Sequence, residues 1–165
     1  MNEEITDAIV ESVRDVFQGF LAMELFVGTP HGADGLVDPD TGIAGLALAM
    51  ECSAVVGFTG AMRGAISVQG AHETVRLLVG ALAKRPVTAL TLESLELFGE
   101  LGDLIAGGMR SRLSSHGEIH AAPPQVIVGQ RYIIHNARIY SRVRHTFQFS
   151  GGLFLVECHY LKDCA

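Results

Sequence analysis

The apolar residues of this chain change their spacing from one stretch to the next, and few architectures accommodate that change. In residues 4–23 they recur at Ile5, Ile9, Val13, Val16, Phe17 and Phe20, the 3.6-residue period of an amphipathic helix. From Ile43 to Gln69 the period shortens to that of strands. Leu46, Leu48 and Met50 alternate with alanines, Ala54–Phe58 is short and apolar, and Met62, Ile66 and Val68 share a face. Helical spacing returns over 71–84 through Val75, Leu78, Val79 and Leu82, and stops before Pro86, which also restricts the residue preceding it. A third helix is predicted from Thr91, an N-cap with Glu93 in the first turn, to about Ser114, closed by His116-Gly117. The rest reads as strands. Gln125–His135 follows the Pro123-Pro124 break. In 139–149, Ile139, Val143, Phe147 and Phe149 alternate with Arg138, Tyr140, Arg142, Arg144 and Gln148. Ser150-Gly151-Gly152 then turns the chain into a last strand, 153–161. GTPHGADGLVDPDTG, residues 28–42, is dense in Gly, Pro and Asp and predicts a loop. Gly57, Gly60 and Gly64 mark turns or close backbone approaches.

This order, helix–strands–helix and then helix–strands, predicts an α+β fold with helices packed on one side of a largely antiparallel sheet and two pseudo-duplicated halves. No linker or low-complexity segment interrupts it, so one domain is expected over 1–165. At 165 residues the chain is long enough to bury a core, and 48% hydrophobic residues exclude disorder. That apolar share also points to a surface buried against a partner or a second copy. The formal net charge is −6, and of the twelve Lys and Arg residues only Arg138, Arg142 and Arg144 stand close together, so a nucleic-acid partner is not expected. The N-terminal MNEEITDAIVESVRDVF carries acids where a secretory signal has bases, and no stretch approaches the roughly 18 apolar residues of a membrane span. A cytoplasmic protein without a membrane partner is expected. Cys52, Cys158 and Cys164 are odd in number and lack metal-type spacing, so the thiols read as reduced and no metal site is expected.

The stretch richest in chemistry is Glu93–Leu113, ESLELFGELGDLIAGGMRSRL. At about 100° per residue, Glu96, Glu100 and Asp103 fall within about 60° of one another, and Gly107 lies on the same side. Leu97, Phe98, Leu101, Leu104 and Ile105 lie opposite and predict the face that packs on the sheet. Like charges at this spacing repel by a few tenths of a kcal/mol per pair, about the cost of an ordinary solvated helix face, which is the simpler reading on spacing alone. Asp7, Glu11 and Arg14 repeat the spacing in the first helix and read as solvated. His116 and His120 are separated by the helix-breaking Gly117, His72-Glu73 reads as a surface pair, and Cys158 and His159 point to opposite faces of a strand. The glycines at 57, 60 and 64 match no phosphate-binding loop.

GELGDLIAGGMRSRL followed by APPQVIVG resembles the signature of the CheX branch of the CheC/CheX/FliY family, phosphatases of the phosphorylated chemotaxis regulator CheY. VVGFTGAMRGAISVQGAHETVRLLVGALA resembles the family's strand–Gly–strand–helix unit, and the likeness extends over most of residues 4–160. The family pattern is Asp or Ser, three residues, Glu, two residues, Asn, then a Pro some twenty residues on. Here it falls on Glu96, Glu100, Asp103 and Pro124. The resemblance implies a CheC-like fold and a docking helix whose Glu100 pairs with a lysine in the receiver's active site. Asp103 stands where the family's Asn orients the attacking water, and Glu96, Gly107 and Pro124 join the partner-binding surface. Arg14 takes the Asn position in the first helix, which implies that this half has no active site. The resemblance implies no cofactor of the chain's own, since Mg²⁺ comes with the phosphorylated CheY-like receiver, and a homodimer joined strand edge to edge. Three functions stay open: an aspartyl-phosphate phosphatase in chemotaxis, a receiver-binding module with weak or no catalysis, which Asp103 favours, and an unrelated hydrolase using Glu96, Glu100 and Asp103 as metal ligands or acid–base groups.

Overall fold

The computed structural model describes residues 1–31, 51–130, 132 and 141–162. Three helices pack on a sheet whose described strand pairs are all antiparallel, as the alternation of periods predicts. The elements are α1 (Asn2–Val16), β1 (Phe26–His31), β2 (Cys52–Gly60), β3 (Met62–Gly70), α2 (His72–Ala83), α3 (Leu92–Arg112), β4 (Ile119–Ala121), β5 (Gln125–Val128), β6 (Ser141–Phe149) and β7 (Gly152–Lys162). The sheet order is β1-β6-β7-β3-β2-β4, with β5 also on β2. The β2–β3 and β6–β7 hairpins therefore meet along β3 and β7, whose register runs from Met62↔Lys162 to Gln69↔Leu155.

The core lies between sheet and helices. Ile5, Ile9 and Val13 of α1, Leu78 and Val79 of α2, and Phe98, Leu101 and Ile105 of α3 are buried against Ala54, Val56, Ile66, Val156 and Phe154. Phe17, Phe147, Phe149 and Phe154 form an aromatic group, with Phe17 stacked on Phe154 at 5.6 Å between ring centroids. The helices α1 and α3 cross closely where Gly108 leaves room: a Cβ there would lie 2.8 Å from the Ser12 hydroxyl.

The first helix departs from the expected 4–23. It starts at Asn2 and ends in a π-turn, Phe17–Leu21, with Ala22 in the left-handed conformation. The wider turn inserts a residue into the apolar period, so Phe17 and Leu21 are buried while Phe20, assigned to the apolar face, is 48% exposed. Residues 28–31 of the expected loop belong to β1; the remainder, 32–42, and the Leu46–Met50 alternation lie outside the described residues. Pro30 is tolerated because β1 pairs only with β6 among the described strands, and its register shifts between Val27 and Pro30.

The strand expected over Gln125–His135 ends at Val128, because its partner β2 begins at Cys52, opposite Val128. Residues 133–135 lie outside the described residues, as do Arg138, Ile139 and Tyr140. The short β4 has no counterpart in the sequence reading. It pairs with the far end of β2, Phe58–Gly60, and the Ala122–Pro124 break separates it from β5. Gly60 turns β2 into β3 at φ +108°, and a Cβ on Gly64 would stand 1.9 Å from the His159 carbonyl, so both glycines are structural as expected. Arg144 departs from the basic solvent face that the β6 alternation predicts: it is buried and donates to Glu157 at 2.5 Å. His72 and Glu73 do not pair: His72 faces Glu51 at 3.2 Å, and Glu73 binds Arg76.

Candidate functional site

The construction of α3 explains why its acids face outwards. The Thr91 hydroxyl accepts from the Ser94 amide at 3.2 Å, capping the first turn as predicted. One side of the helix is then locked down by Phe98, Leu101, Ile105 and Met109, all buried. Leu97 and Leu104 flank that side and are partly buried against the core. Two glycines bring the backbone onto its neighbours. A Cβ at Gly102 would lie 3.0 Å from the Ala54 Cβ on β2, and one at Gly99 would touch Pro124 Cγ at 3.5 Å and Val126 at 3.4 Å. Pro124, half-buried in the break between β4 and β5, therefore sits against α3 one residue before Glu100.

Glu96, Glu100 and Asp103 are exposed along the outer stripe, with Gly107 half-buried one turn beyond Asp103. The four residues thus share a face as the spacing predicts, and Pro124 flanks it through Gly99. Among the described residues, none of the three carboxylates has a hydrogen-bond or ion-pair partner; Glu3 and Asp7 of α1 also stand without one, whereas several other helix acids are matched. Glu93 meets Arg85 at 2.6 Å, Asp15 meets Arg112 at 2.5 Å, and Glu73 meets Arg76. The three acids therefore keep their mutual repulsion without a paired cation to offset it. Arg110 lies on the same stripe, seven residues past Asp103; it escaped the sequence reading, although the same helical arithmetic reaches it.

The first-helix stripe is different. Asp7, Glu11 and Arg14 are exposed, but Arg14 closes on Glu11 at 2.5 Å, so Glu11 is matched within its own turn. Among the described residues no group of three or more His, Cys, Asp or Glu is placed to hold a metal ion. His116 faces Glu4 at 3.4 Å and His120 faces Glu118 at 3.8 Å. Cys52 and Cys158 are buried on the core side of β2 and β7, where desolvation pushes Cys52 up to about 11 and Cys158 further still. Cys158 and His159 do point to opposite faces, with His159 on the Glu157 side.

A surface of unmatched carboxylates on a rigid helix can accept hydrogen bonds from an incoming ammonium group or water. The model of the chemotaxis phosphatase CheX family matches residues 52–148, more than half of the chain, and the match contains the whole stripe and Pro124. The chain belongs to the CheX family. Solved structures agree in fold. A CheC-like superfamily protein from Shewanella sp. PV-4 superposes with a TM-score of 0.80 at 21% identity, over 98% of this chain and 99% of that one. CheX from Desulfovibrio desulfuricans gives 0.79 at 24%, over 96% and 99%. CheX from Borrelia burgdorferi, solved as a CheX–CheY–BeF3–Mg complex, gives 0.71 at 22%, over 96% of each chain. No curated protein matches the chain. In this CheX-family chain the long helix α3, rather than any cavity in the core, displays the candidate site. No described helix is long and apolar enough to cross a membrane.

Proposed function

We propose that this CheX-family chain docks α3 onto a phosphorylated CheY-like receiver domain and hydrolyses its aspartyl phosphate, ending a chemotaxis signal. The observation that carries the reading is the unmatched acidic stripe on a helix fixed by its glycines to the sheet, at the positions where the family pattern falls. The receiver brings the phosphoryl group and Mg²⁺, so what is asked of α3 is positioning. Glu100 pairs with the receiver's lysine, and Asp103 accepts a hydrogen bond from the attacking water. Glu96, Gly107 and Pro124 shape the surface around them.

A second reading is favoured by one residue. Asp103 brings a negative charge towards a phosphoryl group already carrying about two. At an effective dielectric near 20, unit charges ~4 Å apart interact by about 4 kcal/mol, and unscreened repulsion of that size costs about three orders of magnitude in rate. The receiver's Mg²⁺ and lysine offset part of it. Where they do not, the chain is a receiver-binding module with little catalysis. Phosphate release from a phosphorylated receiver, measured with the natural chain and Asp103→Asn, separates the two. Equal or faster release by the natural chain supports the phosphatase; release by Asp103→Asn alone assigns the module. Release by neither, with no binding, rejects both. The proposal includes one domain and a homodimer joined through sheet edges, which sedimentation equilibrium tests.

A further inference from the structure

Four glycines lie in α3, and three have a reason within the chain: Gly99 makes room for Pro124 and Val126, Gly102 for Ala54, and Gly108 for Ser12. Gly107 has none. Among the described residues, no atom lies within 4 Å of where its Cβ would stand, apart from its own helix and its chain neighbours. It occupies the helix interior without positive φ, where Ala would stabilise the helix with no clash inside the chain.

The bare position borders an open cleft of about 640 Å³ between the C-terminal half of α3 and β4, also lined by Arg110, Ser111, Ser114, Glu118 and His120. Arg110 is exposed and, among the described residues, has no ion-pair partner, while its neighbour Arg112 is held by Asp15. Glu118, the acid in the cleft wall, is turned towards His120. From Glu100 to Arg110 the helix rises about 15 Å, so the stripe runs from an acidic end, over a bare backbone, to a basic end. A partner that fits it presents a cation at one end and a carboxylate at the other.

We propose that the receiver-docking face continues past Asp103 across Gly107 into this cleft, where a main-chain segment of the receiver lies directly on the helix backbone and one of its carboxylates meets Arg110. This rests on the receiver reading above and extends it to the partner's second contact. A side chain at residue 107 would hold that segment off the helix, and a reversed charge at residue 110 would repel it.

The test is calorimetric titration with a CheY-type receiver from the same organism, activated with beryllofluoride and Mg²⁺, against the natural chain, Gly107→Ala, Gly107→Gln, Arg110→Glu and Glu100→Ala, with melting temperatures in parallel. Gly107→Ala should raise Tm by about 2–4 °C yet weaken binding at least about fivefold, and Gly107→Gln should weaken it further. Arg110→Glu should weaken binding about tenfold, and less so in high salt. A natural chain that binds, loses binding in Glu100→Ala and keeps it in Gly107→Gln and Arg110→Glu overturns this extension alone. A folded natural chain that does not bind the activated receiver overturns it together with the receiver reading.

Discussion

Arg144 and Glu157 are 8% and 3% exposed, on the face of the sheet opposite the helices, and their 2.5 Å contact removes both charges from water together. Breaking such a pair from one side strands the other charge. Arg144→Ala should therefore cost about 3–5 kcal/mol, whereas Arg144→Met with Glu157→Leu should fall much closer to the natural stability; urea denaturation measures both. His159 sits beside this pair, 3.2 Å from Glu157, and its pKa is lowered, chiefly because burial disfavours the imidazolium. A lowered value means that the unfolded chain binds the proton more tightly than the folded one. Stability should thus decline as pH falls below about 6.5 and level off once the lowered folded value is passed. Denaturation at pH 7.5 and 5.5 checks this, and the decline should shrink in His159→Gln. The strand alternation read from sequence put Arg144 in solvent because a period of two gives a face but not what covers it.

At the scale of elements, α3 was legible almost to its ends: Thr91 caps it, the apolar side is buried, and the three acids share the outer stripe. Its depth on the sheet was not legible, because that depends on which neighbours Gly99 and Gly102 meet. Gly102→Leu, in a gap already at 3.0 Å from Ala54, should destabilise by about 1–3 kcal/mol and also weaken the chain's effect on the receiver by displacing the acidic stripe. Thr91→Ala should cost about 1 kcal/mol and leave that effect intact, so the two substitutions separate anchoring from capping. The π-turn after α1 and the short β4 escaped the sequence for a shared reason. Each is set by a tertiary partner, Phe17 and Leu21 in the core and the far half of β2, rather than by a local period.

At the scale of the molecule, one core joins β2 in the first half of the chain to β7 at its end, through β3. Cys52 and Cys158 are buried at these two places. If the chain opens as one domain, both thiols should label with a disulfide reagent at a common rate that follows global unfolding; unequal rates would divide it into separate units. The helices and much of the sheet follow from the changing apolar period, and the acidic stripe from helical arithmetic. The cleft beside Gly107 does not, since β4 and α3 meet only in the folded chain. The central claim is that the Glu100 face of α3 acts on a phosphorylated receiver, and the lifetime of that phosphoryl group with Mg²⁺ tests it most directly. We predict that the natural chain shortens the lifetime and that Glu100→Ala, equally folded, does not. A lifetime unchanged by the natural chain, or shortened equally by Glu100→Ala, would contradict the account.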